Sequence, residues 1–103
     1  MYENKLFEFR MEVESLVFPS IRDTTHFKAV RRLLAAEFPT LRYRTFRIPK
    51  PEGAYILRGE FFIRQDTEVQ GSTKTAILDS IHEMGQFRVI NVTEGSYMEF
   101  IYD

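Results

Sequence analysis

Residues 6 to 14 alternate between apolar and polar without a break. Phe7, Phe9, Met11 and Val13 share one parity, and Leu6, Glu8, Arg10, Glu12 and Glu14 share the other. Period two with one polar side marks a half-buried strand. A connection through Val17, Phe18, Pro19 and Ile21 leads to Asp23, Thr24 and Thr25, all suited to cap a helix N-terminus. Phe27, Val30, Leu34 and Phe38 then recur at helical spacing, with Lys28, Arg31 and Arg32 on or near the opposite side, and Pro39 closes the run. Residues 41 to 48 read as a second strand. Its apolar parity switches between Tyr43 and Phe46, which predicts a bulge near Thr45 or Phe46.

Pro49 to Gly53 is a turn by composition, and Tyr55 to Gln65 a third alternating strand. Past a loop at residues 66–71, Ser72 or Thr73 is placed to cap a second helix. That helix carries Ile77, Leu78, Ile81 and Met84 and stops at Gly85. Phe87 to Val92 predicts a fourth strand, Thr93 to Ser96 a turn, and Tyr97 to Tyr102 a fifth strand. The order βαββαββ predicts an α+β fold: a ferredoxin-like βαββαβ sandwich with an added C-terminal strand, folded as one domain over residues 1–103. Two helices would cover one face of an antiparallel sheet ordered 5-4-1-3-2. Such a topology hosts many unrelated activities and carries little functional weight by itself.

Charge adds what the pattern omits. The net charge of −1 conceals two opposed regions. Residues 19–64 hold ten Lys/Arg against four Asp/Glu, a balance of +6; the remainder holds four against eleven, a balance of −7. On the expected topology the basic segments fall on one side of the sheet and the acidic ones on the other, a polarity that steers association rather than folding. The absence of cysteine excludes disulfides, thiolate metal sites and a cysteine nucleophile. No signal-like apolar stretch follows Met1–Lys5, and no run approaches the ~18 apolar residues of a membrane span. The expected location is the cytoplasm.

Candidate chemistry is sparse. Arg58-Gly59-Glu60-Phe61-Phe62-Ile63 is partly similar to the third-strand motif of RNA-recognition domains, which would imply base stacking on the open sheet face. Glu60 and Gln65 stand where that motif places aromatics, and Glu8 joins Glu60 on the same face, where both would repel phosphate. Gln70-Gly71-Ser72-Thr73-Lys74-Thr75 lacks the second glycine of a phosphate loop. It leaves Ser72, Thr73, Lys74 and Thr75 as a candidate anion site at a helix N-terminus, with ordinary capping the simpler account. His26 and His82 have no second histidine at ligand spacing, so neither metal nor cofactor is expected, and no acid–base pair stands out.

Two surfaces remain as candidate partner sites. The first is a basic face made of Lys28, Arg31, Arg32, Arg42, Arg44, Arg47, Arg58 and Arg64, interleaved with Tyr43 and Phe46. Arg and Tyr are frequent hot-spot residues at protein interfaces. The second is the edge strand carrying Tyr97, Glu99 and Ile101, suited to strand addition or a homodimer. The expectation is a small non-enzymatic binding module that occludes a protein partner bearing an acidic surface, of inhibitor, immunity or adaptor type. A phage-encoded antagonist of a host defence would have this character. The alternative is a regulatory domain that binds nucleic acid or a small ligand on its basic surface.

Overall fold

A computed structural model describes residues 2–16, 26–53 and 55–102. The elements run β1 (Tyr2–Ser15), α1 (Phe27–Glu37), β2 (Arg42–Pro49), β3 (Tyr55–Gln65), α2 (Gly71–Glu83) and β4 (Phe87–Ile101). The fold is α+β. Its four strands form one antiparallel sheet in the order β2-β3-β1-β4, so β1 is central and β2 and β4 are the edges.

The odd parity of β1 fixes the core. Phe9, Met11 and Val13 are at most 2% exposed. Leu57, Phe61 and Ile63 of β3 share their face through the register Phe9↔Ile63, Met11↔Phe61 and Val13↔Gly59. Phe27, Val30 and Leu34 of α1 and Ile77 and Ile81 of α2 complete this cluster. Each such side chain contributes about 1.5–3 kcal/mol when fully buried. The start of α1 is fastened to the start of β4 by aromatic contact. His26 stacks on Phe87 with centroids 5.5 Å apart, Phe27 lies 5.3 Å from Phe87, and the His26 Nε2 shares a 2.8 Å hydrogen bond with the Ser15 hydroxyl.

Several expectations are corrected. The expected fifth strand and the turn at Thr93–Ser96 are absent: β4 runs unbroken from Phe87 to Ile101, so the sheet has four strands and not five. The reason is the length of its template. β1 offers fourteen residues, and Thr93, Glu94, Gly95 and Ser96 pair with Arg10, Phe9, Glu8 and Phe7. Gly95 has no positive φ, so it is an ordinary strand residue and not a turn. No bulge occurs in β2, whose register with β3 is continuous from Arg42↔Phe62 to Pro49↔Tyr55. Its mixed parity reflects an edge strand partly exposed on both faces. The irregularity lies instead between β1 and β4, at Glu12/Val13, where Ile90 is the extra residue of β4. Helix α2 begins at Gly71, ahead of the expected caps. Gln70 in extended conformation is its N-cap, and the Gln70 carbonyl accepts from the Lys74 N–H at 3.0 Å with no side-chain cap. Gly85 does end that helix, at φ +70°. Asp23, Thr24 and Thr25 lie outside the described residues.

One consequence is an elongated molecule. β3 pairs with β1 only from Phe7 onward, so Tyr2–Leu6 and Tyr97–Ile101 continue as a two-stranded ribbon beyond the rest of the sheet. The extents are 54 × 28 × 19 Å and the radius of gyration is 15.9 Å, against ~13 Å for a compact chain of this length.

The Phe27 ring of α1 packs close over the β3 backbone at Gly59. A Cβ there would stand 2.8 Å from Phe61 Cε2 and 3.0 Å from Phe27 Cδ1, both in buried rings. Gly59→Ala is therefore expected to lower stability by about 1–3 kcal/mol through overpacking. Urea unfolding checks this, and a midpoint equal to that of the wild type would show that the rings have room to yield.

Candidate functional site

The register places Arg42, Arg44, Arg58 and Arg64 on the face of the sheet away from the helices, together with Glu8, Arg10 and Glu60 of β1 and β3. Arg10, Arg44 and Arg64 pair with the two glutamates. Arg44 Nη2 donates to Glu60 Oε2 at 3.1 Å, and Arg64 Nε donates to Glu8 Oε2 at 3.2 Å. Arg10 bridges the two acids, 3.7 Å from Glu60 and 4.0 Å from Glu8. Glu60 is only 5% exposed beneath these guanidinium groups. Farther along, Arg88 donates to Glu14. Pairs with such exposed arginines stabilise little, about 0–1 kcal/mol each, but each carboxylate offsets part of the positive charge of the face. The guanidiniums also cover its aromatics: Arg10 lies over Phe62 at 5.8 Å, Arg44 over Phe46 at 5.8 Å, and Arg64 over Tyr97 at 5.7 Å. A base stacking on this face would first have to displace them.

The other basic residues lie around the β2 edge, on the helix side. Lys28, Arg31 and Arg32 are exposed on α1. The Arg31 guanidinium sits 4.8 Å over Tyr43, and that of Arg47 5.6 Å over Tyr55. Both tyrosines remain 39% exposed. The eight predicted basic residues are thus divided between two faces that meet at β2. On the open face Arg44 and Arg64 are held by carboxylates; at the β2 margin Arg31 and Arg47 are stacked on tyrosines.

The candidate anion residues are dispersed by use. Lys74 reaches across to Glu94, Nζ to Oε1 at 2.6 Å. Ser72 and Thr73 line a groove between the helices, with Leu33, Ala36 and Ile77. His26 is engaged with Ser15 and Phe87, and His82 is exposed on α2. Among the described residues no group of three His, Asp or Glu side chains gathers as for a metal ion, and no helix is long and apolar enough to cross a membrane.

The second predicted surface is larger than the sequence suggested. Tyr97, Glu99 and Ile101 lie on the open face opposite Leu6, Asn4 and Tyr2. Met98 and Phe100 lie on the helix face opposite Lys5 and Glu3, with 43% and 49% exposure. Sequence reading missed Met98, Phe100 and Tyr2 because alternation assigns one parity to a core, and here neither α1 nor α2 extends over the ribbon. A groove of about 590 Å³ lies at the opposite end of β4, lined by Leu16, Leu78, Phe87, Val89 and Val92 beside α2.

No family model and no curated protein matches the chain. Among solved structures it is similar to one described as "De novo designed protein Foldit4", at 10% identity and a TM-score of 0.46, covering 94% of this chain and 99% of that one.

If Glu8 and Glu60 set the potential of the open face, the pair of substitutions Glu8→Gln and Glu60→Gln should release cationic charge there. Retention on heparin is expected to extend to higher salt, with the slope of log K against log salt steepening by about 1–2. Elution unchanged from the wild type would mean that these carboxylates do not neutralise that face.

Proposed function

We propose that this protein is a small binding module that occludes an acidic protein surface with its basic β2 edge. The observation that carries the reading is the pairing of Arg31 with Tyr43 and of Arg47 with Tyr55 beside an edge strand. Guanidinium groups stacked on rings are held in place before a partner arrives, so less side-chain freedom is lost on binding. Arg and Tyr are also the residues most often found to dominate interface energies. The β2 backbone adds unpaired N–H and C=O groups along one side, open to an extended segment. The order βαββαβ with β1 and β3 central supports reading the scaffold as a ferredoxin-like sandwich. Self-paired charge on the open face disfavours nucleic acid as the ligand there.

The test is capture of partners by tagged protein from lysate treated with nuclease, repeated with the variant Arg31→Glu plus Arg47→Glu. A protein that survives nuclease and binds the charge-reversed variant at least about tenfold more weakly supports the reading. Equal binding by the variant would remove the β2 margin as the site. Recovery of nucleic acid alone would replace this reading with its alternative.

A further inference from the structure

We infer that β4 is a homodimer edge: two copies pair antiparallel along it, with the two-fold axis at Gly95, to form one continuous eight-stranded sheet. This inference concerns the edge opposite the β2 margin and stands independently of the proposed function.

The free edge is long and uncovered. All ten residues from Asn91 to Phe100 are exposed, four of them large and apolar or aromatic (Val92, Tyr97, Met98 and Phe100), with exposed Tyr102 just beyond. The ribbon formed by Tyr2–Leu6 and Tyr97–Ile101 has only two strands, and an isolated two-stranded ribbon is marginal in water. A third strand from a second copy would complete it.

The edge is complementary to itself when reversed. Centring on Gly95 sets Thr93 opposite the partner's Tyr97, Val92 opposite the partner's Met98, and Asn91 opposite the partner's Glu99. Each pair shares one face of the sheet, as cross-strand partners must. On the helix face, the partner's Met98 and Phe100 then lie toward the Phe87, Val89 and Val92 groove, which has an open apolar wall where the ribbon has exposed apolar side chains. On the open face, the partner's Glu99 lies opposite Asn91, on the same side of the sheet as Arg88, which is paired with Glu14. Glu94 lies near the axis on the helix face, and Lys74 at 2.6 Å offsets the approach of the two carboxylates. Gly95 on the axis has no atom within 4 Å of where a Cβ would stand. A two-fold closes the contact and leaves β2 as the outer edge of both copies, whereas pairing β4 with β2 would propagate into a filament.

The chain contains no cysteine, so a single introduced thiol can form a disulfide only with another copy. Opposed Cα atoms of an antiparallel pair stand about 4.5–5.5 Å apart, within disulfide reach. Oxidation of Gly95→Cys at micromolar concentration is expected to give a covalent dimer. Thr93→Cys and Tyr97→Cys should cross-link when mixed and not separately. Sedimentation of the cysteine-free protein is expected to show a dimer, and Met98→Lys plus Phe100→Lys to raise its dissociation constant at least about tenfold with the circular dichroism spectrum kept. A monomer at all accessible concentrations would overturn the inference. So would a dimer that cross-links through other positions and not through Gly95, or that survives both lysines unchanged. Partner capture through Arg31 and Arg47 is read separately, so loss of dimerisation with retained capture distinguishes the two proposals.

Discussion

Everything in this molecule hangs on the unequal pairing of β1. Like β3 it has neighbours on both sides, but it is longer than β3 can match. Where both neighbours are present, from Phe7 to Glu14, its odd side chains are driven under the helices and the core forms around Phe9, Met11 and Val13. Where β3 is missing, the same alternation continues over β4 alone, and apolar groups stay in solvent on both faces. One strand thus makes both the stable centre of the fold and its most exposed feature.

Charge follows the same geometry. Because β2 and β3 lie on one side of β1 and β4 on the other, the basic and acidic regions of the chain become basic and acidic sides of the sheet. Where they meet, at β1 and β3, arginines and glutamates cancel across strands through Arg10, Glu8, Glu60 and Arg64. These pairs offset part of the positive charge at the centre of the open face. At the β2 margin Arg31 and Arg47 rest on tyrosines.

The two edges differ in how they resist indiscriminate pairing. β2 is guarded by Arg42, Arg44, Arg47 and Pro49, which deter a second strand of the same kind. β4 carries a bulge at its helical end and few charges along its ribbon. A dimer through β4 would place the two β2 margins at opposite ends of one sheet, and two linked sites engage a repeated or symmetric target more strongly than one.

Strand β1 from Leu6 onward, the span of β3, the stop at Gly85 and the faces of both helices could be read directly from period and turn chemistry, because burial on one side imposes that period. The same holds for the two parities of Arg58, Glu60 and Arg64 against Phe61 and Ile63. Sequence also defined the charge asymmetry and the arginine-rich surroundings of Tyr43. Tertiary structure alone decided whether Thr93–Ser96 turned or continued, since a stretch of Thr, Glu, Gly and Ser suits a turn unless a long strand lies beside it to pair with. It decided likewise that Glu8 and Glu60 would be neutralised by Arg64, Arg10 and Arg44, residues brought near by cross-strand register and not by spacing in the chain. Met98 and Phe100 were left outside because the reach of a helix over a sheet is a property of the packed layers. Local pattern reports which residues can be buried; only the assembled layers determine which ones are.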